Sequence, residues 1–498
     1  MISIMVILLV GGAFMFAHKN VRFTQGNIGR FIEYARYKGR YVFLSESLAQ
    51  EQNAKAESIP VLLYHSIILE PTGENVTKEN FEEQMFLLKE AGWQTISMQD
   101  YLDYMHNKKT LPDRSFLLTF DDGAKDSYYP VDPLLKALGF RATSFIISKY
   151  SLTERQNGYY LSLPELRSMR DSGRWDIEAH THAGHDVVIQ HLTGEETHFY
   201  SSLLWTDNET RRETMNEFQA RVTGDLGAVK NGLESSLGIQ TESFAFPFGD
   251  FGQHNKSFPE LKNILLAEVQ KKFHAAFYQT WPGNGYTQNY PSPETFLMKR
   301  IVVRPSWDAE TLLWTLEAGH VKSLPYDDEF ITNHGWIEDW GTAAVTIEGL
   351  SISADEKTNG GSAYLDGTYT WHDYRVDSEV DWVRGEAVSV VARYQKDSDF
   401  LACTYTENFV VLDQTVGGKK ERLAESKLAT PLRKGKNSFG ASVQGDSIAC
   451  FVENQTVLTY EGFDGARSQG GIGFRVWSSK AGESRVIVTR VAVTPQNP

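Results

Sequence analysis

Cysteine is nearly absent from this chain: two residues in 498, Cys403 and Cys450, both far downstream. That scarcity excludes a cysteine-built metal site and a disulfide-stapled miniprotein, and it leaves the pair as one internal bridge or as buried free thiols. Positive charge is also in short supply. Lys and Arg number 49 against 64 Asp and Glu, a net charge of −15, so no global positive field exists to recruit phosphate backbones and no nucleic-acid partner is expected. A neutral or cationic substrate suits this balance better. Neither disorder nor a coiled coil fits a composition that is 41% hydrophobic and 12% aromatic with 23% charged residues; such a chain buries at least one large core and has length for two.

One long uncharged run is present. Residues 2–17, ISIMVILLVGGAFMFA, carry no charge; at ~1.5 Å per helical residue they reach about 24 Å, short of a ~30 Å hydrocarbon layer. No basic region precedes them, and Met15-Phe16-Ala17 places a bulky residue where a cleavage site wants a small one, so a signal anchor over residues 1–18 is expected rather than a cleaved signal peptide. The flank beyond carries Lys19, Arg22, Arg30, Arg36, Lys38 and Arg40 against Glu33, which the positive-inside rule would keep in the cytoplasm. Sequence alone leaves that conflict open. Residues 19–58 read as a juxtamembrane linker.

From residue 59 short apolar runs alternate with helical patterns. The strand candidates are IPVLLYH, SFLLTF, RATSFIIS, WDIEAH, SFAFPF, HAAFY and MKRIVV, with helices expected around 126–138, 163–171, 209–236, 259–273 and 309–318. Such alternation over residues 59–335 predicts a parallel sheet, and at this size a distorted (β/α) barrel. The stretch 186–208 fits neither period and reads as an insertion over the site. After Trp336 helical periods give way to short alternating runs such as AVSVVARY, SIACFVEN and GGIGFRVW. Residues 336–498 therefore read as an all-β sandwich or jelly roll, with Cys403 and Cys450 mid-strand and able to face each other across neighbouring strands.

In a parallel barrel, functional groups gather where apolar strands end. IPVLLYH ends at His65, SFLLTF runs into Asp121 and Asp122, WDIEAH ends at His180 with His182 and His185 beyond, SFAFPF leads to Pro247-Phe248-Gly249, and KRIVV is followed by Arg304. Adjacent, partly desolvated aspartates repel one another unless a cation compensates. Taken alone the pair is an ordinary Asp-Asp-Gly turn; beside the histidines it completes an N/N/O ligand set that leaves a metal an open position.

Here the residues carry a family resemblance. TFDDG, the H-T-x-x-x-H segment and F-x-F-P-F-G resemble, in order and spacing, the first three motifs of NodB-type polysaccharide deacetylases, the fourth family of carbohydrate esterases. The resemblance covers roughly residues 59–320 and implies a NodB-type barrel that binds one divalent ion, zinc first and nickel, cobalt or iron as alternatives. It implies Asp121 as general base and Asp122, His180 and His185 as ligands, with His182 as a competing candidate. The family's usual histidine spacing is four; the spacing of five here, with Tyr64-His65-Ser66-Ile67, resembles the branch that deacetylates exported poly-N-acetylglucosamine in biofilms. In that branch the His, here His65, is the catalytic acid. The motif arginine that orients the base is replaced by Ala245, with Arg304, and Arg300 as second choice, as substitutes. Trp307-Asp308 only weakly echoes a further motif.

What the resemblance implies is amide hydrolysis: a metal-acidified water deprotonated by Asp121, an acetyl carbonyl polarised by the ion, and an amine protonated by His65. Pro247, Phe248, Gly249 and Arg304 are the expected substrate contacts, with Tyr64 and Trp307 as further apolar wall. The last strands resemble those of concanavalin-like or laminin-G-like jelly rolls, with Trp371, Tyr374 and Trp382 either a stacking platform for sugar or part of the sandwich core. The expected partners are an N-acetylated polysaccharide, the membrane, and exopolysaccharide synthesis or export machinery; the catalytic domain is placed outside the cytoplasm. Peptidoglycan or chitin-like oligomers are the alternative substrates, and Ala245 motivates a catalytically degenerate glycan-binding scaffold.

Overall fold

The computed structural model describes residues 27–44, 54–153, 158–189, 194, 196–206, 210–280, 285–463 and 468–496. The strands of the first unit are β1 Val61–Tyr64, β2 Gln94–Thr95, β3 Ser115–Phe120, β4 Ala142–Ile147, β5 Trp175–Thr181, β6 Val187–Ile189, β7 Glu196–His198, β8 Ser243–Ala245, β9 Ala275–Thr280 and β10 Leu297–Val302. Parallel pairing runs β1-β10-β9-β8-β5-β4-β3, and β3 pairs back to β1, closing a barrel of seven strands; β2 hangs outside on β3. Every residue of β1, β3 and β4 is buried, as parallel strands covered on both faces require.

The helices are α1 Asn27–Leu44, α2 Lys78–Glu90, α3 Met98–Met105, α4 Asp132–Leu138, α5 Ser148–Ser151, α6 Leu163–Asp171, α7 Met215–Leu237, α8 Glu260–Gln270 and α9 Ala309–Ala318. Strand alternation divides the core in two. Leu117, Phe145, Ala245, Phe277 and Met298 fill the barrel, with Tyr101 and Met105 of α3 packed beneath. Leu62, Leu118, Ile146 and Phe244 face outward onto the helices. The longest helix, α7, is well delimited: Thr214 and Glu217 form a capping box at its start and Gly238, in the left-handed region, ends it.

Residues 27–44, read from sequence as part of a linker, are helical and docked on the barrel wall. Tyr37 is buried with its hydroxyl on Glu82 at 2.5 Å, Arg40 holds Glu83 through two bonds of 2.7 Å, and Lys78 pairs with Glu33. The apolar run at 2–17, and with it the expected anchor, lies outside the described residues. Among the described residues no helix is long and apolar enough to cross a membrane.

The second region is two antiparallel sheets of eight and seven strands. Its pairing begins ahead of Trp336, because Tyr326–Asp328 already pairs with the final strand Arg485–Pro495. Cys403 and Cys450 form a disulfide, with Cα atoms 5.7 Å apart. They sit on strands of different sheets, so the bridge crosses the sandwich core instead of joining neighbouring strands as the sequence suggested. Chain-entropy reasoning for a separation of 47 residues gives roughly 4 kcal/mol of stabilisation. Trp371, Tyr374 and Trp382 take the second of their two readings. All three are buried in this core, where no sugar can reach them.

The two units meet through tyrosines. Tyr286, in the connection from β9 to β10, packs on Tyr364 and Tyr394 of the seven-stranded sheet. Its hydroxyl donates to the Tyr394 carbonyl at 2.8 Å and accepts the Gly471 amide at 2.9 Å.

Candidate active site

A cavity of about 460 Å³ opens at the carboxyl ends of the barrel strands and is lined by His65, Asp121, Asp122, His180, His185, Phe248 and Arg304, among others. Several strands converge there, so residues far apart in sequence become neighbours. The turn after β3 separates the two aspartates. Asp122 takes a positive φ of 71° and Gly123 follows at 71°; a Cβ on Gly123 would come within 2.8 Å of the Ile146 side chain. That turn leaves Asp121 inside the barrel and swings Asp122 toward the histidines.

Asp122, His180 and His185 offer three ligand atoms that all lie within 4.8 Å of one another. Nε2 of His180 and of His185 approach Asp122 Oδ1 at 3.5 and 3.1 Å, yet that buried oxygen has no geometrically sound hydrogen-bond donor. The tautomer of His180 explains why. Its Nδ1 lies 2.7 Å from the Ala245 carbonyl, an acceptor only, so the proton sits on Nδ1 and Nε2 presents a lone pair. A lone pair facing a carboxylate oxygen calls for a cation between them, and the donor set fits a divalent ion such as zinc.

Asp121 is buried, and Arg300, fully buried on β10, clasps it through two bonds of 2.6 and 2.8 Å. Burial raises the Asp121 carboxyl, while the Arg300 guanidinium brings it below its ordinary value. The sequence reading put Arg304 first for this role. Arg300 takes it because it shares with Met298 the face of β10 that turns into the barrel, whereas Arg304 lies beyond the strand on the cavity wall. Ala245, at the position of the motif arginine, contributes only its carbonyl.

Alternation also separates Tyr64 from His65. His65 lines the cavity; Tyr64 points outward, buried, with its hydroxyl on Gln84 Oε1 at 2.9 Å. Trp307 likewise packs on the outer core, its carbonyl receiving Asn80 and Gln84, and Asp308 is the N-cap of α9. Neither aromatic is among the residues that line the cavity. His182 lies outside the ligand cluster, its Nδ1 3.0 Å from Ser148 Oγ.

Of the FPFG segment, Phe248 reaches the cavity while Pro247 and Gly249 are buried beneath it. Phe248 has φ of 59°. Its ring lies 4.8 Å from that of His185 and stacks at 4.5 Å on His198. His198 comes from the insertion, whose β6–β7 hairpin sits beside the mouth, and its Nδ1 meets Asp250 Oδ2 at 2.7 Å. His198, Asp250 and Asp225 were not singled out from sequence. Asp225 had a signal: it interrupts the buried stripe Val222, Leu226, Val229 of α7.

Residues 108–263 match the polysaccharide deacetylase family. The chain is 23% identical over 249 residues to the poly-β-1,6-N-acetyl-D-glucosamine N-deacetylase of Escherichia coli K12, covering 47% of this chain and 35% of that protein. It is 26% identical over 176 residues to the enzyme of the same name from Staphylococcus aureus MRSA252, covering 35% and 54%. It thus spans about a third to a half of these curated relatives. Among solved structures, a de-N-acetylase from Aggregatibacter actinomycetemcomitans aligns over 52% of this chain and 99% of its own, at 19% identity and a TM-score of 0.44. The first unit is a polysaccharide deacetylase domain of the NodB type, joined to a C-terminal all-β region consistent with a jelly roll.

Proposed function

We propose that the protein is a metal-dependent N-deacetylase of an N-acetylated exopolysaccharide of the poly-N-acetylglucosamine kind. The observation that carries this reading is the convergence of Asp122, His180 and His185 beside an Arg300-held Asp121 at the open end of a barrel. When bound, a divalent ion on those three ligands supplies an acidified water and a Lewis acid for the acetyl carbonyl. Asp121 takes the proton of the attacking water, and the Arg300 fork fixes which way its carboxylate faces. His65, from a different strand end, donates a proton to the departing amine. Phe248 closes one side of the cavity against the acetyl group.

Ala245 had been the reason to consider a degenerate scaffold; Arg300 supplies the missing ion pair from another strand, which removes that motive. The names of the curated relatives favour poly-N-acetylglucosamine over peptidoglycan or chitin. A catalytic domain outside the cytoplasm accords with such a substrate and with the disulfide, since disulfides persist in oxidising compartments. Attachment to the membrane through residues 1–18 and cooperation with an export machinery belong to the same proposal.

The test uses the purified full chain, assayed for bound metal and for acetate released from poly-N-acetylglucosamine, chitin and peptidoglycan fragments. Asp122→Ala is expected to lose the ion and all acetate release. Asp121→Asn is expected to keep the ion and lose about 10²- to 10⁴-fold in rate, the usual worth of a general base. A metal-free wild-type chain that binds the glycan without releasing acetate would overturn the enzyme reading.

A further inference from the structure

The loop that delivers His185 is wound around a carboxylate from another element. Asp225, buried on α7, accepts four hydrogen bonds: from the Thr181 hydroxyl at 2.7 Å, the His182 amide at 2.9 Å, the Ala183 amide at 2.7 Å and the Tyr200 hydroxyl at 2.5 Å. Thr181 Oγ1 in turn accepts the Gly184 amide at 2.7 Å. The backbone N–H groups of residues 182, 183 and 184 thus all turn inward, onto Asp225 or onto the hydroxyl it holds. This is an anion nest occupied by the chain's own side chain. The loop leaves β5 after Thr181 and returns His185 to within 3.1 Å of Asp122 Oδ1. The inward winding is what accommodates a spacing of five residues between two ligands of one site.

The same carboxylate ties in the insertion. Tyr200 reaches it across the loop, and a Cβ on Gly184 would fall 2.5 Å from the Phe199 ring and 2.9 Å from that of Tyr200. One helical turn away, Arg221 bonds the carbonyls of Phe199 and Ser202 at 2.5 and 3.1 Å.

We infer that Asp225 is a positioning residue for the metal site, setting the loop that presents His185 and locking the insertion to it; the inference rests on the metal reading of Asp122, His180 and His185. Only a carboxylate serves four donors at this point. Asn keeps the Oδ2-side bonds but turns an amide NH₂ toward the Ala183 N–H, and Ala removes the acceptor from all four, leaving the His182 and Ala183 amides unmet.

The experiment compares the full-length wild type with Asp225→Asn and Asp225→Ala, first metal-free by amide hydrogen exchange, then by Zn²⁺ affinity against a competing chelator. Thr214→Ala, which weakens the cap of the same helix without touching the loop, is the control for loss of stability alone. Faster exchange confined to residues 181–185 and 199–200 is expected, with Zn²⁺ bound about 10-fold more weakly by the Asn variant and about 100-fold more weakly by the Ala variant, the span usual for groups that orient metal ligands. Thr214→Ala is expected to retain wild-type affinity. Should Asp225→Ala fail to fold, Asp225→Asn carries the test. A folded Asn variant with wild-type Zn²⁺ affinity overturns this inference alone; a wild type that takes up no stoichiometric Zn²⁺, Ni²⁺, Co²⁺ or Fe²⁺ overturns the metal reading as well.

Discussion

At the scale of single residues, Arg300 and Asp121 form the most consequential pair in the barrel. Both are buried, so neither charge can be left without the other: removing one partner of a buried ion pair usually costs about 3–5 kcal/mol. Arg300→Lys keeps the charge but exchanges a rigid two-pronged fork for a single ammonium. The carboxylate then loses its fixed orientation, and a misplacement of about 1 Å in a reacting group can cost about 10²-fold. The expected outcome is a kcat lowered by about 10²-fold with metal content unchanged, read by acetate release and metal analysis on the same sample. Equal kcat in the variant would mean that the fork is structural only. Part of the ligand set was legible in the sequence, because Asp122 and His180 follow apolar runs and adjacent aspartates need a cation; the family resemblance, not the spacing, singled out His185 over His182. Arg300 was harder to see. It sits inside an apolar strand, where its identity as the partner of Asp121 depends on which face of β10 turns inward. An arginine amid MKRIVV was nonetheless a signal, since a buried guanidinium demands a carboxylate.

Among elements, the strands and helices of the barrel follow their sequence patterns closely. SFLLTF is β3 from end to end, and Leu163–Asp171 and Ala309–Ala318 form helices where the apolar period placed them. What escaped was structure made by tertiary contact. Helix α1 is held by Tyr37 and by ion pairs to α2, contacts that no local pattern reveals. The turn after β8 illustrates the opposite case, a motif whose geometry follows from one glycine. Gly249 has φ of 66°, and a Cβ there would lie 2.7 Å from the Gln279 backbone nitrogen. Gly249→Ala therefore meets both a strained conformation and a backbone contact that cannot yield cheaply, and should destabilise the domain by about 1–3 kcal/mol. Because Phe248 precedes it and packs against His185, activity should fall further than the fraction folded. Denaturant unfolding and acetate release on the same preparation separate the two effects; a variant of native stability would show that the turn relaxes.

For the whole molecule, two cores are joined at a tyrosine-rich seam, and the seam contains charges that oppose it at neutral pH. Lys299 of β10 sends its ammonium to the Tyr286 carbonyl at 2.7 Å, on the barrel side of that contact. Burial pushes the amine down to about 8, with Asp366 of the sandwich pulling the other way. An unfolded lysine titrates near ~10.4, so between about 8 and ~10.4 the unfolded chain binds the extra proton and stability rises with pH on account of this group. The contribution is complete above the unfolded value and is lost as pH falls through about 8. Lys299→Met removes this dependence together with one hydrogen bond, and the loss of the bond is the same at every pH. The difference in melting temperature between variant and wild type should therefore favour the variant more at pH 7.5 than at pH 10. Tyrosine ionisation at the alkaline end affects both proteins alike and cancels in that difference. A difference that stays constant across the two pH values would show that the ammonium is fully solvated, and that the seam is held by its tyrosines and by the bonds from Thr287 to Asp366 without an electrostatic cost from Lys299.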